Sequence, residues 1–205
     1  MANLVDNLYF INDISIPNLD RTGEDSTLNA LIKKYQEDIL IKLMGYELYS
    51  LYIAATDTGR FAAITNGAEF TFAFNGRTVK RKWKGLVNDD RESLIAYYVY
   101  VYWLKKIQTV TTGIGEMDPD TLVGDRVISV DKYVEAYNEV VKLGGDIHYV
   151  NNESYYHPCQ FDIYDQSTYV YFNDQPSLYN YLVNNLSDFP EWEFTPLKRI
   201  NVYGF

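Results

Sequence analysis

Cysteine is nearly absent from this chain, with Cys159 alone among 205 residues. One thiol builds neither an internal disulfide framework nor a multi-cysteine zinc site, so stability has to come from packing, and nothing points to an oxidising compartment. Histidine is almost as scarce. His148 and His157 are the full set, and His157-Pro158-Cys159 lacks any spacing that gathers the ligands of a zinc centre. Long apolar runs are missing too: the densest, residues 94–104, is bounded by Arg91, Glu92, Lys105 and Lys106 and is far shorter than the roughly 20 residues that span a bilayer. No membrane association is expected. The opening MANLVDNLYFINDISIPNL has no basic region ahead of an apolar core, so no secretory signal is expected and synthesis in the cytoplasm is the default. Basic residues are few, 18 against 28 acidic ones, and the net charge of −10 argues against general affinity for nucleic-acid phosphates.

Catalytic signatures are absent as well. Thr112-Gly113-Ile114-Gly115-Glu116 lacks the third glycine and the Gly-Lys-Ser/Thr ending of a phosphate loop. Glu116, Asp118, Asp120 and Asp125 do not follow the ligand spacing of an EF-hand. No Gly-x-Ser-x-Gly elbow occurs. The reading is therefore of a non-enzyme without metal or cofactor.

Aromatic residues and an uneven charge distribution are what the chain does have. Tyrosine alone numbers 20. Arg77, Lys80, Arg81, Lys82 and Lys84 crowd together, whereas between Leu143 and Leu197 there is no Lys or Arg but Asp146, Glu153, Asp162, Asp165, Asp174, Asp188, Glu191 and Glu193. The segment SLIAYYVYVYWLKKIQTV (93–110) reads as a helix apolar on every side. Leu94, Tyr97, Tyr98, Val101 and Leu104 form one face, Ala96, Tyr100, Trp103 and Ile107 a second, and Ile95, Val99 and Tyr102 a third. Such a helix has to be surrounded, either inside one fold or between subunits.

Around it the pattern predicts a first helix capped at Ser26 or Thr27 and running to Met44, with Gly45 as its terminator and a second short helix over 46–55. GAEFTFAFNGRTVKRKW alternates about Asn75-Gly76, the signature of a two-residue hairpin turn, with Phe70, Phe72 and Phe74 on one face. Asn88, Asp89 or Asp90 is expected to cap the tyrosine-rich helix. A Gly- and Asp-rich loop follows, then a helix over 129–143 ended by Gly144-Gly145. Beyond it, DIHYV, SYYH, FDIY and TYVYF predict short strands or extended loops, and 177–185 a small helix. The fold class is mainly α: a helical bundle with an inserted β-hairpin (69–83) and an irregular, partly β C-terminal region. The expected divisions are an N-terminal arm (1–25), a helical core (26–144) and an acidic, aromatic extension (145–205).

The order of these features, Leu-Met-Gly-Tyr-Glu-Leu-Tyr at 43–49, the Asn75-Gly76 hairpin, Trp83-Lys84-Gly85-Leu86, Ile95-Ala96-Tyr97-Tyr98-Val99-Tyr100 and Thr112-Gly113, resembles head-to-tail connector proteins of tailed phages. Phe194-Thr195-Pro196 and the ending Asn201-Val202-Tyr203-Gly204-Phe205 are similar to the tails of such proteins from phages of gut Bacteroidetes, crAss-like ones included. The resemblance covers residues 28–116 and the C-terminal end; the long acidic region after Gly144 departs from a minimal connector. It implies a non-catalytic virion protein of the neck, many copies of which form a twelvefold ring under the twelvefold portal that extends the DNA channel. The implied partners are other copies of the chain, the portal protein, further neck or tail proteins, and genomic DNA passing through without sequence-specific contact. A negatively charged channel would repel DNA phosphates and let the duplex slide. Candidate contact residues for subunits or portal are Arg77, Lys80, Arg81, Lys82, Trp83, Lys84, Tyr100 and Trp103, and Thr112, Gly113, Gly115, Asp118 and Asp120 mark a candidate partner-binding loop. The alternatives are a tyrosine-rich module for carbohydrate or protein built on 148–192, or another ring component of neck or tail. A single-stranded nucleic-acid platform on the basic hairpin is disfavoured by its small size and the net charge.

Overall fold

The structure is a computed structural model and describes residues 3–17, 19, 22–55, 58–74, 77–108, 110–112, 115–117, 130–145, 177–193, 197 and 200. The fold is mainly α with an inserted β-hairpin. Its helices are α1 (Thr22–Met44), α2 (Tyr46–Ala54), α3 (Gly59–Asn66), α4 (Leu94–Gln108), α5 (Val130–Gly144) and α6 (Leu178–Asn184), and its strands β1 (Ala68–Phe74), β2 (Arg77–Trp83), β3 (Val110–Thr112) and β4 (Gly115–Met117). The tyrosine-rich segment is α4, and it lies against both α1 and α5. Leu94, Ile95, Ala96, Tyr98, Val99, Tyr100, Val101, Trp103 and Leu104 are all buried, so the surround that its pattern demands comes from the chain itself. Each fully buried aliphatic or aromatic side chain contributes about 1.5–3 kcal/mol relative to exposure, which makes α4 the main strut of the core. None of the described helices is long and apolar enough to cross a membrane.

Helix ends follow local chemistry, with two departures from expectation. Helix α1 begins at Thr22, so Ser26 and Thr27 lie inside it rather than capping it. The intervening sequence holds no proline, and the lone Gly23 costs only about 1 kcal/mol, so nothing stops the helix growing backward. Helix α4 is capped by Ser93, whose hydroxyl accepts from the Ile95 amide at 3.3 Å, and not by Asn88, Asp89 or Asp90. Asn88 instead closes the preceding turn: its carboxamide accepts from the Glu92 amide (3.1 Å) and donates to the Glu92 carbonyl (2.7 Å), around an Arg91 with φ of +56°. The other termini match expectation. Gly45 (φ +76°) separates α1 from α2, the Gly145 amide donates to the Val141 carbonyl at 2.8 Å, and the Ser177 hydroxyl caps α6 by accepting from the Asn180 amide at 3.2 Å.

The hairpin register pairs Phe74 with Arg77 and Ala68 with Trp83, as the alternation about Asn75-Gly76 predicts, with Asn75 and Gly76 themselves outside the described residues. Described residues on both sides of the helical segment 22–144 belong to the core. The expected N-terminal arm forms two 3-10 turns, Asn7–Tyr9 and Asn12–Ile14, that bury Val5, Tyr9, Phe10, Ile14 and Ile16 in the same cluster as α1 and α4. The Leu4 amide is tied to Gln36 Oε1 of α1 at 2.7 Å. Within the expected C-terminal extension, Leu178, Tyr181, Leu182, Phe189 and Leu197 belong to that cluster. The Trp192 indole donates to the Leu43 carbonyl (2.9 Å) and the Glu193 amide to the Met44 carbonyl (3.2 Å), so this segment caps the C-terminal end of α1. The strands expected within 146–176 lie outside the described residues, as do His148, His157 and Cys159.

Candidate functional site

The basic segment does not form one patch. Cross-strand pairing puts Phe70 opposite Arg81 and Phe72 opposite Val79 on one face, and Glu69 opposite Lys82 and Thr71 opposite Lys80 on the other. Phe70 and Trp83 on the first face are buried; Glu69, Thr71, Lys80 and Lys82 on the second are exposed. Arg81 is half-buried on the inner face and donates to the Lys80 carbonyl at 2.8 Å. Arg77 holds the register position beside the turn. Lys84 is committed elsewhere, pairing with Glu92 at 2.5 Å and Asp90 at 3.5 Å. The hydrogen bond to Glu92 leads in raising the Lys84 ammonium above its ordinary pKa, against an opposing contribution from burial.

Three of the expected contact residues are interior. Trp83 is 2% exposed and its indole donates to the Ile64 carbonyl at 3.0 Å. Tyr100 and Trp103 stack at 5.6 Å between ring centroids and are 2% and 7% exposed. A helix apolar on all sides looks alike whether a neighbouring subunit or its own chain covers it, and here its own chain does. In the expected partner-binding loop, Thr112 pairs with Gly115 in the β3–β4 hairpin, so this part is strand rather than loop. Gly113, Asp118 and Asp120 lie outside the described residues. Among the described residues no three His, Cys, Asp or Glu side chains are grouped to hold a metal ion.

Where α1 meets α4, the structure brings together a polar network that sequence reading did not find. The Tyr98 hydroxyl donates to Asp38 Oδ2 (2.5 Å), the Lys42 ammonium donates to the same oxygen (2.7 Å) and to the Tyr98 oxygen (2.8 Å), and Tyr102 OH lies 3.2 Å from Tyr98 OH. Tyr35 stacks on Tyr102 at 3.7 Å. Lys105 lies over the Tyr133 ring of α5 at 4.9 Å, and its hydrogen bond with Tyr133 heads the causes that raise its pKa. Burial, then the hydrogen bond to Asp38, pushes the Tyr98 hydroxyl far above the usual phenol range. Burial alone would raise Asp38; the hydrogen bonds from Lys42 and Tyr98 and the Lys42 and Lys34 charges outweigh it and hold the carboxyl below its ordinary value. Tyr98 is thus held protonated as a donor, not available as a base. The network's hydrogen bonds are spent on joining helices, and the i, i+4 spacing of Asp38 and Lys42 is its only trace in the sequence.

Two surface features remain. Helix α2 has Glu47 as its only charged residue in YELYSLYIA and exposes Tyr46 (71%), Leu51 (43%) and Ile53 (43%). A cleft of about 350 Å³ lies between the Asn12–Ile14 turn, α4 and α5, with Asp13, Glu135 and Glu139 among the residues that line it. The α5 acids are legible as the polar strip of an amphipathic helix, whereas the arrival of Asp13 beside them is a tertiary effect. Comparison with protein-family models, curated proteins and solved structures returned no match for this chain.

Proposed function

We propose that this chain is a structural subunit of a tailed-phage neck, many copies of which form a ring between portal and tail and extend the DNA channel. The observation that carries the reading is the surface of α2: a solvent-facing helix with a single charge, presenting Tyr46, Leu51 and Ile53, is a surface made to be covered by another protein. The order of sequence features shared with connector proteins supplies the kind of assembly. The role needs no catalysis and no cofactor. Its partners are other copies of the chain, the portal protein and further neck or tail proteins, with DNA passing the acidic subunits without sequence-specific contact. Its place is the virion neck. A net charge of −10 per subunit favours sliding over sticking. Immunogold labelling of phage particles from the source culture tests this reading: label confined to the neck is expected, and virions free of label overturn it.

A further inference from the structure

We propose that the outward face of the β1–β2 hairpin docks, through Lys80 and Lys82, into the acidic cleft beside α5 of a second copy of this chain. The choice of a second copy as occupant rests on the ring reading above. Lys80 and Lys82 are exposed on the open face of a two-stranded sheet, beside Thr71 and Glu69. Among the described residues neither lysine enters an ion pair, whereas Lys42, Arg60, Lys84 and Lys142 do.

The cleft has complementary chemistry. Ile14 and Ala136 give it an apolar part, and Asp13, Glu135 and Glu139 outnumber the cation Lys132 among its lining residues. Burial first, and then the carboxylates of Glu139 and Asp13, raise the Tyr97 hydroxyl there above its ordinary pKa, a sign of the negative field. The cleft is also held in shape. Asn138 bonds both backbone groups of Ile200 at 3.0 Å, so its carboxamide is fixed at the edge. The Glu139 contact to Lys142 at 3.0 Å is exposed, and such pairs exchange readily.

Spacing agrees as well as sign. Residues two apart on a strand stand about 6.7 Å from each other on one face. Side chains four apart on a helix start about 6 Å from each other. Lys80 and Lys82 therefore match Glu135 and Glu139 in pitch, and both pairs can form at once. The contact joins unlike surfaces, and a heterologous contact of this kind closes into a ring when its rotation divides the circle. Chains of net charge −10 repel one another, so local complementarity is what steers them into register.

A charge-swap experiment on the full chain tests the contact. The wild-type protein is sedimented across a concentration series up to millimolar at low salt, alongside K80E/K82E, E135K/E139K and an equimolar mixture of the two variants. The wild type is expected to associate in a salt-sensitive way, and each variant alone to weaken that association about tenfold or more. The mixture is expected to recover it, because the reversed strand of one variant meets the reversed cleft of the other. A wild type that stays monomeric throughout, variants that associate like the wild type, or a mixture that recovers nothing would each overturn the proposal. Circular dichroism checks that the variants fold. Should one not fold, carbodiimide crosslinking of mixed light and heavy-isotope wild-type protein decides, since absence of inter-copy links from Lys80 or Lys82 to Asp13, Glu135 or Glu139 also overturns it. Neck labelling with failed recovery removes this contact alone, whereas recovery with unlabelled virions removes the neck role alone.

Discussion

Replacing Gly67 by alanine is expected to be among the most damaging single-methyl changes in this protein. Gly67 follows α3 with φ +86° and ψ 155°, a region open to glycine almost exclusively. A Cβ there would lie 2.4 Å from the Trp83 carbonyl oxygen and 2.7 Å from the Lys84 carbonyl group, backbone atoms that no rotamer change can move aside. The same junction holds the Trp83 indole on the Ile64 carbonyl (3.0 Å), the Leu86 amide on Ile64 (3.2 Å) and the Val87 amide on Thr65 (2.8 Å). Strain of about 1–3 kcal/mol, plus the weakening of these three bonds at about 0.5–1.5 kcal/mol each, gives a loss of roughly 2.5–7.5 kcal/mol. That is a large part of a typical total of about 5–15 kcal/mol. Gly59→Ala is the matched control: Gly59 also has positive φ (+54°), but a Cβ there meets no heavy atom within 4 Å. It should cost about 1–2 kcal/mol, the left-handed backbone strain alone. Urea unfolding followed by tryptophan fluorescence and circular dichroism compares the two. Equal losses would show that the close approach of α3 to the hairpin exit carries no energetic weight.

Tyr98→Phe removes the hydroxyl shared by Asp38 and Lys42 and should lower stability by about 1–2 kcal/mol in the same assay. It should also flatten the acid limb of the stability curve. The Asp38 carboxyl is held below its ordinary value of 3.8, so its contribution is complete above that value and is lost as pH falls through the folded value. Because the Asp38 side chain is 41% exposed, the difference between wild type and variant over that window should stay below about 1 kcal/mol; an unchanged acid limb would remove Tyr98 from the cause. Ser177→Ala should cost about 1 kcal/mol and speed hydrogen exchange at the Asn180 amide, the group that Ser177 caps. Unaltered exchange there would contradict the capping role.

The elements most legible in the sequence are those whose pattern is local. Alternation about Asn75-Gly76 fixes the hairpin and its register without reference to the rest of the chain, and the unbroken apolar girth of α4 requires burial whatever the neighbours are. Helix α3, with GRFAAITN between glycines, is too short to show a period and is held largely through Ile64, Thr65 and the hairpin exit. The N-terminal turns bury side chains at irregular spacing, which no helix or strand template detects. Ser93 takes the cap from a run of equally suited Asn and Asp residues because the turn closed by Asn88 sets where α4 begins. Face assignment decides the candidate site. Consecutive basic residues in a strand point in opposite directions, so a cluster in sequence becomes two lysines outside and an arginine inside.

The seal that Trp192 and Glu193 place on the end of α1 also sets an order in time. The partners in the Trp192–Leu43 bond are 149 residues apart. A ribosome adding about 5–20 residues per second needs roughly 7–30 s to cover that distance. Throughout that interval the Leu43 and Met44 carbonyls lack the Trp192 and Glu193 donors that meet them in the folded chain. A core that includes Leu178, Tyr181, Leu182, Phe189 and Leu197 cannot close until those residues have left the ribosome, long after α1 and α4 have been made.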